Sequence, residues 1–232
     1  MSSADLYRLL CALRAAGVEQ CRIHWTRPEQ REQVACLLAH IRALGMRSDL
    51  VCDGRGLDGL LRTYGGHIDR LTLRLDTCEA NHTAMLDGSP GRPVDHAIVV
   101  ASMVKWMGAD LHLNTQVTVA NCYQDMSEWL MCLAPSVWHL RQRSTLAGTA
   151  GDESRQTKGH IDCIQFRSFV ERHRHLETEG IEIQTGSRYG PPWRLPLDAA
   201  GRLFAVCDGR YRVSAPVLDV GVLAAVKQLW PV

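Results

Sequence analysis

The sequence predicts an α/β fold: an incomplete, largely parallel sheet of about five strands with helices outside it, followed by a C-terminal β-hairpin and a closing helix. Two observations carry this. Helix-period and strand-like segments alternate along the chain, which favours parallel strands joined by helical crossovers. Within the strand-like segments, apolar and polar residues alternate, so that each would present one apolar and one polar face. An antiparallel sheet with one solvated face would alternate too, but the helix-rich spacing argues against it.

Asp5–Ala16 has helical period and is stopped by Gly17. Gln20–Trp25 reads as a strand with Arg22 and His24 opposite Ile23 and Trp25. Pro28 stands where a starting helix tolerates it, ahead of Glu29–Leu44, and Gly45 ends that helix. Asp49–Cys52 is a short strand leading into a turn at Gly54-Arg55-Gly56, because a lone Gly-x-Gly is weak grounds for a phosphate loop. Asp69–Leu75 is a strand with Leu71, Leu73 and Leu75 against Thr72, Arg74 and Asp76. Arg92–Gly108 is a long helix. Ala109–Ala120 is a long strand whose odd positions (Leu111, Leu113, Thr115, Val117, Val119) oppose His112, Asn114, Gln116 and Thr118. Asp125–Leu133 is a helix ended by Pro135. Ser136–Arg143 is a strand with His139, Arg141 and Arg143 on one side. Ala147–Gly159, rich in Gly, Ser, Thr and charge, reads as a loop. Gln165–Glu177 is helical, with His173 and His175 taken as solvated surface because residues two apart do not share a helix face. Leu195–Leu197 and Leu203–Val206 flank a turn at Asp198–Gly201 as the hairpin. Val217–Trp230 is the last helix. One domain is expected, with 1–146 as barrel core and 147–232 as a C-terminal extension.

Composition narrows the function. Of 232 residues, 46% are hydrophobic, which suffices for a real core. Lys and Arg number 26 against 25 Asp and Glu, so no field draws the chain to DNA or to anionic lipid. The longest apolar run, near Ala97–Val104, is far short of a membrane span, and no signal peptide is read at the start. There are nine cysteines, no two within four residues of each other. They read as reduced thiols of a cytoplasmic protein, with no metal site.

If helices cover the apolar face of the sheet, the polar faces point into one crevice. The crevice or ligand-binding candidates are therefore Arg22, His24, Arg74, Asp76, His112, Asn114, Gln116, His139 and Arg141. Arg22, Arg74, His112, His139, Arg141 and Arg143 would stand there against roughly Asp53 and Asp76. So many cations call for solvent, an anionic ligand or a protein partner. Asp76 is the best buried acid, as a structural partner of Arg74 or Arg22 no less than as a catalytic group. No catalytic residue is assigned.

Leu113-Asn114-Thr115, Asn121 and Asp125-Met126, then Leu133, Pro135, Trp138, Gln142 and Gly148, resemble in order and spacing the viperin-like radical-SAM family. Tyr64-Gly65 and Asp76-Thr77 lie before them. Phe166, Phe169, Glu171-Arg172-His173, Asp198, Arg202 and Val217–Val222 follow. The resemblance runs from about Leu6 to Leu229 and implies a partial barrel of the radical-SAM type. It also exposes departures. The family's CxxxCxxC loop, which holds a [4Fe–4S] cluster, has no counterpart here. Its GGEP motif for S-adenosylmethionine (SAM) stands as Arg27-Pro28-Glu29-Gln30. The basic pair flanking its Trp is Val137 and His139, the lysine before its strand Asn is His112, and its Gly-rich aromatic tail is not seen. The expectation is a cluster-less pseudoenzyme. It binds no cofactor by itself and forms a heterodimer with a radical-SAM enzyme subunit that carries SAM and the cluster. A nucleotide- or SAM-binding sensor, or a crevice reused for non-radical catalysis, is the alternative.

Overall fold

The computed structural model describes residues 1–77, 94–142, 160–186, 195–207 and 210–230. The loop expected at Ala147–Gly159, together with Cys78 and Arg143, lies outside them. Six strands form one sheet in the order β1 (Gln20–Trp25), β2 (Arg47–Cys52), β3 (Arg70–Arg74), β4 (Asp110–Val117), β5 (Val137–Gln142) and β6 (Glu182–Thr185). The pairs β3–β4, β4–β5 and β5–β6 are parallel. An order that follows the sequence strand by strand is what successive β–helix–β crossovers produce. The sheet has one strand more than expected, because β6 is only four residues long and carries a single clearly apolar side chain, Ile183.

The helices follow from caps and spacing. Ser2 caps α1 (Ser3–Ala15), its hydroxyl accepting from the Asp5 N–H at 3.1 Å, which moves the start ahead of Asp5. Helix α2 (Arg31–Ala43) buries Val34, Ala35, Leu38 and Ile41, one stripe at helical spacing. Pro28–Gln30 forms a separate 3₁₀ turn before it. The glycine pair after β2 is a turn: both Gly54 and Gly56 have positive φ, and Asp53 accepts from the Arg55 N–H at 2.9 Å. The turn opens a helix that the sequence reading passed over, α3 (Leu57–Tyr64), with Leu57, Leu60 and Leu61 buried. Helices α4 (Val94–Trp106) and α5 (Ser127–Leu133) flank β4. Asp162 and Gln165 form a capping box at the start of α6 (Cys163–His173).

The chain divides into two compact units. One comprises Met1–Ile23, Glu29–Asp49 and Tyr189–Val232. Its antiparallel pair is β7 (Arg202–Cys207) and β8 (Arg210–Pro216), a hairpin placed later than expected. Among the described residues, the earlier turn at Asp198–Gly201 closes a single isolated bridge, Leu197 with Leu203. Gly221, at φ 82°, breaks the expected last helix into α7 (Val217–Val220) and α8 (Val222–Leu229). Leu203, Val217, Ala225 and Leu229 close this unit's core on Leu9 of α1.

The other unit, His24–Pro28 and Leu50–Arg188, holds most of the parallel sheet. Leu71, Leu73, Leu111, Leu113, Thr115, Val117, Trp138 and Leu140 are buried, the apolar faces that the alternation predicted. Trp138 donates to the Thr115 hydroxyl at 2.8 Å, and that hydroxyl donates to the Leu75 carbonyl at 2.6 Å, which satisfies the indole in the core. Phe169 and His173 of α6 pack on Trp138. His173 is fully buried, a correction to its expected place on a solvated surface; His175 is exposed as expected. Spacing separated the two faces correctly but did not say which of them meets the sheet.

Candidate functional site

Parallel strands in register bring side chains of like parity onto one face, so the pairing of β3 to β6 builds the site in rows. Arg70 stands beside Asp110 in the lowest row. Above it come Thr72, His112, Val137 and Glu182. The next row is Arg74, Asn114, His139 and Gln184. Gln116 and Arg141 stand at the C-terminal end of their strands. In parallel α/β proteins ligands gather at that end.

Asp110 is the hub of the lower rows. Its carboxylate accepts from Arg70 Nε at 3.0 Å, from His112 Nε2 at 2.9 Å and from the Ser136 hydroxyl. Burial works to raise the carboxyl's pKa, but the Ser136 hydroxyl, His112 and Arg70 outweigh it and hold the group below the ordinary carboxylate value. The His112 ring is 4% exposed, and its other nitrogen, Nδ1, lies 3.0 Å from His139 Nε2. The two ring centres are 5.2 Å apart.

The strand ends are fixed by a second network. One Asp76 oxygen accepts from the Gln116 N–H at 2.8 Å, and the other meets Arg74 Nε at 3.1 Å. Asp76 thus partners Arg74, one of the two roles open to it from sequence. Asn121 is fully buried. Its amide donates to the Gln116 carbonyl at 2.9 Å and to the Asp76 carbonyl, while its oxygen accepts from the Thr118 N–H at 2.7 Å. One side chain therefore clamps the ends of β3 and β4 together.

Of the nine candidates, Arg74, His112, Asn114, Gln116, His139 and Arg141 fall in these rows, with Asp76 bonded at their upper end. Arg22 belongs to the other unit, where Asp49 receives it at 2.6 and 2.5 Å. His24 is exposed. The charge balance expected from sequence is corrected on the acidic side. Asp53 pairs with Arg55 in its own turn at 2.6 Å, whereas Asp76 meets Arg74, Asp49 meets Arg22, and Asp110 meets Arg70 and His112. Alternation could have found Asp110, which stands two residues before His112 and so shares its face. Ser136, Glu182 and Gln184 carried no comparable signal.

The residues do not fit the cofactors of the resembled family. A cubane cluster needs thiolates brought together, and no two cysteines of this sequence stand within four residues. Where the resemblance places the SAM glycines, the turn after β1 is filled. The Trp25 indole donates to the Arg27 carbonyl at 2.6 Å, and a Cβ built on Gly56 would lie 3.5 Å from that of Pro28 and 3.7 Å from the Trp25 ring. Glycine permits close ligand approach there; this packed Trp–Pro pair does not. Among the described residues, no three His, Cys, Asp or Glu side chains are grouped to hold a metal ion, and no helix is long and apolar enough to cross a membrane.

No family model matches the sequence. Curated relatives do. An S-adenosylmethionine-dependent nucleotide dehydratase of Lacinutrix mariniflava is 24% identical over 230 residues, covering 94% of this chain and 46% of that protein. A protein of the same name from Flammeovirga pacifica is 25% identical over 206 residues, covering 83% of this chain and 66% of its own length. The chain thus spans from about half to two-thirds of these relatives. Among solved structures, Streptococcus suis SuiB matches with a TM-score of 0.63 at 16% identity, over 80% of this chain and 43% of SuiB. SuiB has also been solved with S-adenosylmethionine and with its precursor peptide SuiA. By sequence the chain is similar, at low identity, to the S-adenosylmethionine-dependent nucleotide dehydratases, the viperin-like proteins, and by structure it has the parallel α/β sheet of the radical-SAM fold.

Proposed function

We propose that this chain is an auxiliary subunit that generates no radical itself and joins a cluster-bearing, viperin-like radical-SAM enzyme. The observation that carries the reading is the filled turn after β1, where Trp25 and Pro28 pack against Gly56 at the place of the family's SAM loop. Reductive cleavage of SAM is chemistry of the cluster and cofactor, and a protein contributes by holding them. This sequence has kept the sheet and changed the residues that would do so. Its polar rows, with Arg141 and Gln116 uppermost, give a partner or a shared anionic substrate something to meet. β1 ends the sheet order, and the end strand of a sheet is a ready surface for association. A stable contact would bury about 1,200–2,000 Å² in total.

The test is co-expression with a cluster-bearing viperin-like enzyme from the same host, followed by isolation of the untagged pair. The two should elute as a heteromer, and omitting this chain should lower the partner's turnover. Arg141→Glu should weaken the complex while leaving the circular dichroism of the isolated chain intact. A partner whose activity is the same without this chain, or with its charge-reversed form, ends the subunit reading. A second reading, a module that binds a nucleotide or SAM without turnover, draws on His112, Asn114 and His139 standing in adjacent rows. Saturable nucleotide binding by the isolated chain, lost in Asn114→Ala, would favour it.

A further inference from the structure

We infer that Asp110, His112 and His139 form an acid–base centre, in which His139 exchanges a proton with a hydroxylated anion held on the polar face of the sheet. This activity is separate from radical chemistry and does not depend on the subunit role. The chain of contacts is continuous: the Asp110 carboxylate lies 2.9 Å from His112 Nε2, and His112 Nδ1 lies 3.0 Å from His139 Nε2.

The chemistry follows from counting protons. A carboxylate only accepts, so His112 Nε2 carries a hydrogen, and in the neutral ring Nδ1 is then the acceptor. With both rings neutral, His139 donates from Nε2 and its own lone pair is on Nδ1. A proton taken from a ligand O–H goes to that lone pair, and the ligand keeps the electron pair of the broken O–H bond as an oxyanion. The resulting imidazolium can pass its Nε2 proton to His112 Nδ1, with the positive charge steadied by Asp110. In hydrolytic triads a carboxylate likewise fixes the tautomer of an imidazole, so that its other nitrogen can take a proton from the group beyond it. Ser136 and Arg70 keep Asp110 ionised for the role.

The neighbourhood names the ligand class. Asn114 and Gln184 flank His139 in its own row; Gln184 Nε2 donates to Glu182 at 2.7 Å, so Asn114 is the amide placed to meet a hydroxyl group. Arg141 stands one row above on the same strand as His139, so an oxyanion formed there has a cationic neighbour, while Arg74, beyond Asn114, is paired with Asp76. Among the described residues, the charged groups in the rows of the pair and next to them are Arg70 and Arg74 with Asp76 from the β3 side, Asp110 from β4, Arg141 from β5 and Glu182 from β6. The pair reaches from Asp110 at the N-terminal edge of the sheet, through buried His112, to half-buried His139.

Two readouts on the full chain test this. In long-range ¹H–¹⁵N spectra of histidine-labelled protein, His112 and His139 should titrate as one coupled pair, their macroscopic steps separated by roughly one pH unit or more. Asp110→Asn should move both resonances and change the His112 tautomer, and His175→Gln should move neither. Should Asp110→Asn fail to fold, Ser136→Ala loosens the same carboxylate and should shift the pair in the same direction. The second readout uses 5-nitrobenzisoxazole, whose ring opens to a coloured cyanophenolate when a base removes its C–H proton and the N–O bond breaks, with no other reactant. The chain should accelerate this reaction, and His139→Gln should lose roughly a hundredfold. Independent titration of the two histidines, or a rate unchanged in His139→Gln, would overturn the proposal. So would one equivalent of Zn²⁺ binding at the pair, which would make it a metal site.

Discussion

His173 shows how one side chain ties elements together and ties stability to pH. Its Nδ1 lies 2.8 Å from the Phe169 carbonyl, and its Nε2 accepts from the Met126 N–H at 2.9 Å. It therefore carries its hydrogen on Nδ1 and serves the start of α5 from within α6. Burial, chiefly, pushes its pKa below the ordinary 6.5, against the pull of the Phe169 carbonyl and Asp125. As pH falls through 6.5 the unfolded chain takes up the proton before the folded one does, so stability is whole above that value and declines below it. His173→Phe keeps an aromatic ring against Trp138 but leaves the Met126 N–H without its acceptor. It should cost about 1–3 kcal/mol at neutral pH and flatten the fall in stability between pH 6.5 and the folded-state pKa. Urea unfolding of both proteins across that window measures both effects; a variant with the parent's slope would show that other groups set it.

Among the elements, α5 ends under strain that sequence inspection missed. Ala134 sits at φ 41° and ψ 61°, left-handed backbone that disfavours a Cβ, and its N–H bonds the Leu130 carbonyl at 2.7 Å. Ala134→Gly removes the clash while adding freedom to the unfolded chain, a net gain of about 0.5–1 kcal/mol. Calorimetry should show the melting temperature raised by one to a few degrees, and Ala134→Val should lower it. The long elements were legible because period and burial largely agreed: Leu111, Leu113, Thr115 and Val117 are buried while Gln116 is exposed, although His112 on the polar face is buried and Val119 is exposed. What escaped were elements decided by few residues. Asp208-Gly209 separates β7 from β8 by two residues and is the stronger hairpin signal, yet the more apolar flanks of Asp198–Gly201 drew the reading upstream. The polar rows were legible as a face, but their wiring was not. Alternation puts Asp110 on the face of His112, but only the side-chain contacts show that Asp110 supports His112 and that Arg74 takes Asp76.

For the whole molecule, the question is whether a chain with this fold can hold an iron–sulfur cluster. Iron–sulfur clusters are held by cysteine thiolates brought close together, and the protein's part is to fix their geometry. In this chain Cys52 and Cys122 are buried, Cys132 and Cys163 are exposed, and consecutive cysteines of the sequence are at least ten residues apart. Cys21 and Cys122 are also pushed up in pKa by burial, which makes them poorer thiolates and poorer iron ligands. Anaerobic reconstitution with iron and sulfide should therefore leave the purified chain without a stoichiometric cluster. After desalting, iron and acid-labile sulfide should both fall well below one cluster per chain, and the broad visible charge-transfer absorbance should be missing. Added SAM should not be cleaved to 5′-deoxyadenosine under dithionite. A cluster-bearing viperin-like enzyme carried through the same procedure should show both signals and so rule out a failed reconstitution. A cluster at one per chain with SAM cleavage would mean that distant cysteines converge after all, and the chain would then be read as a radical enzyme rather than as the subunit of one.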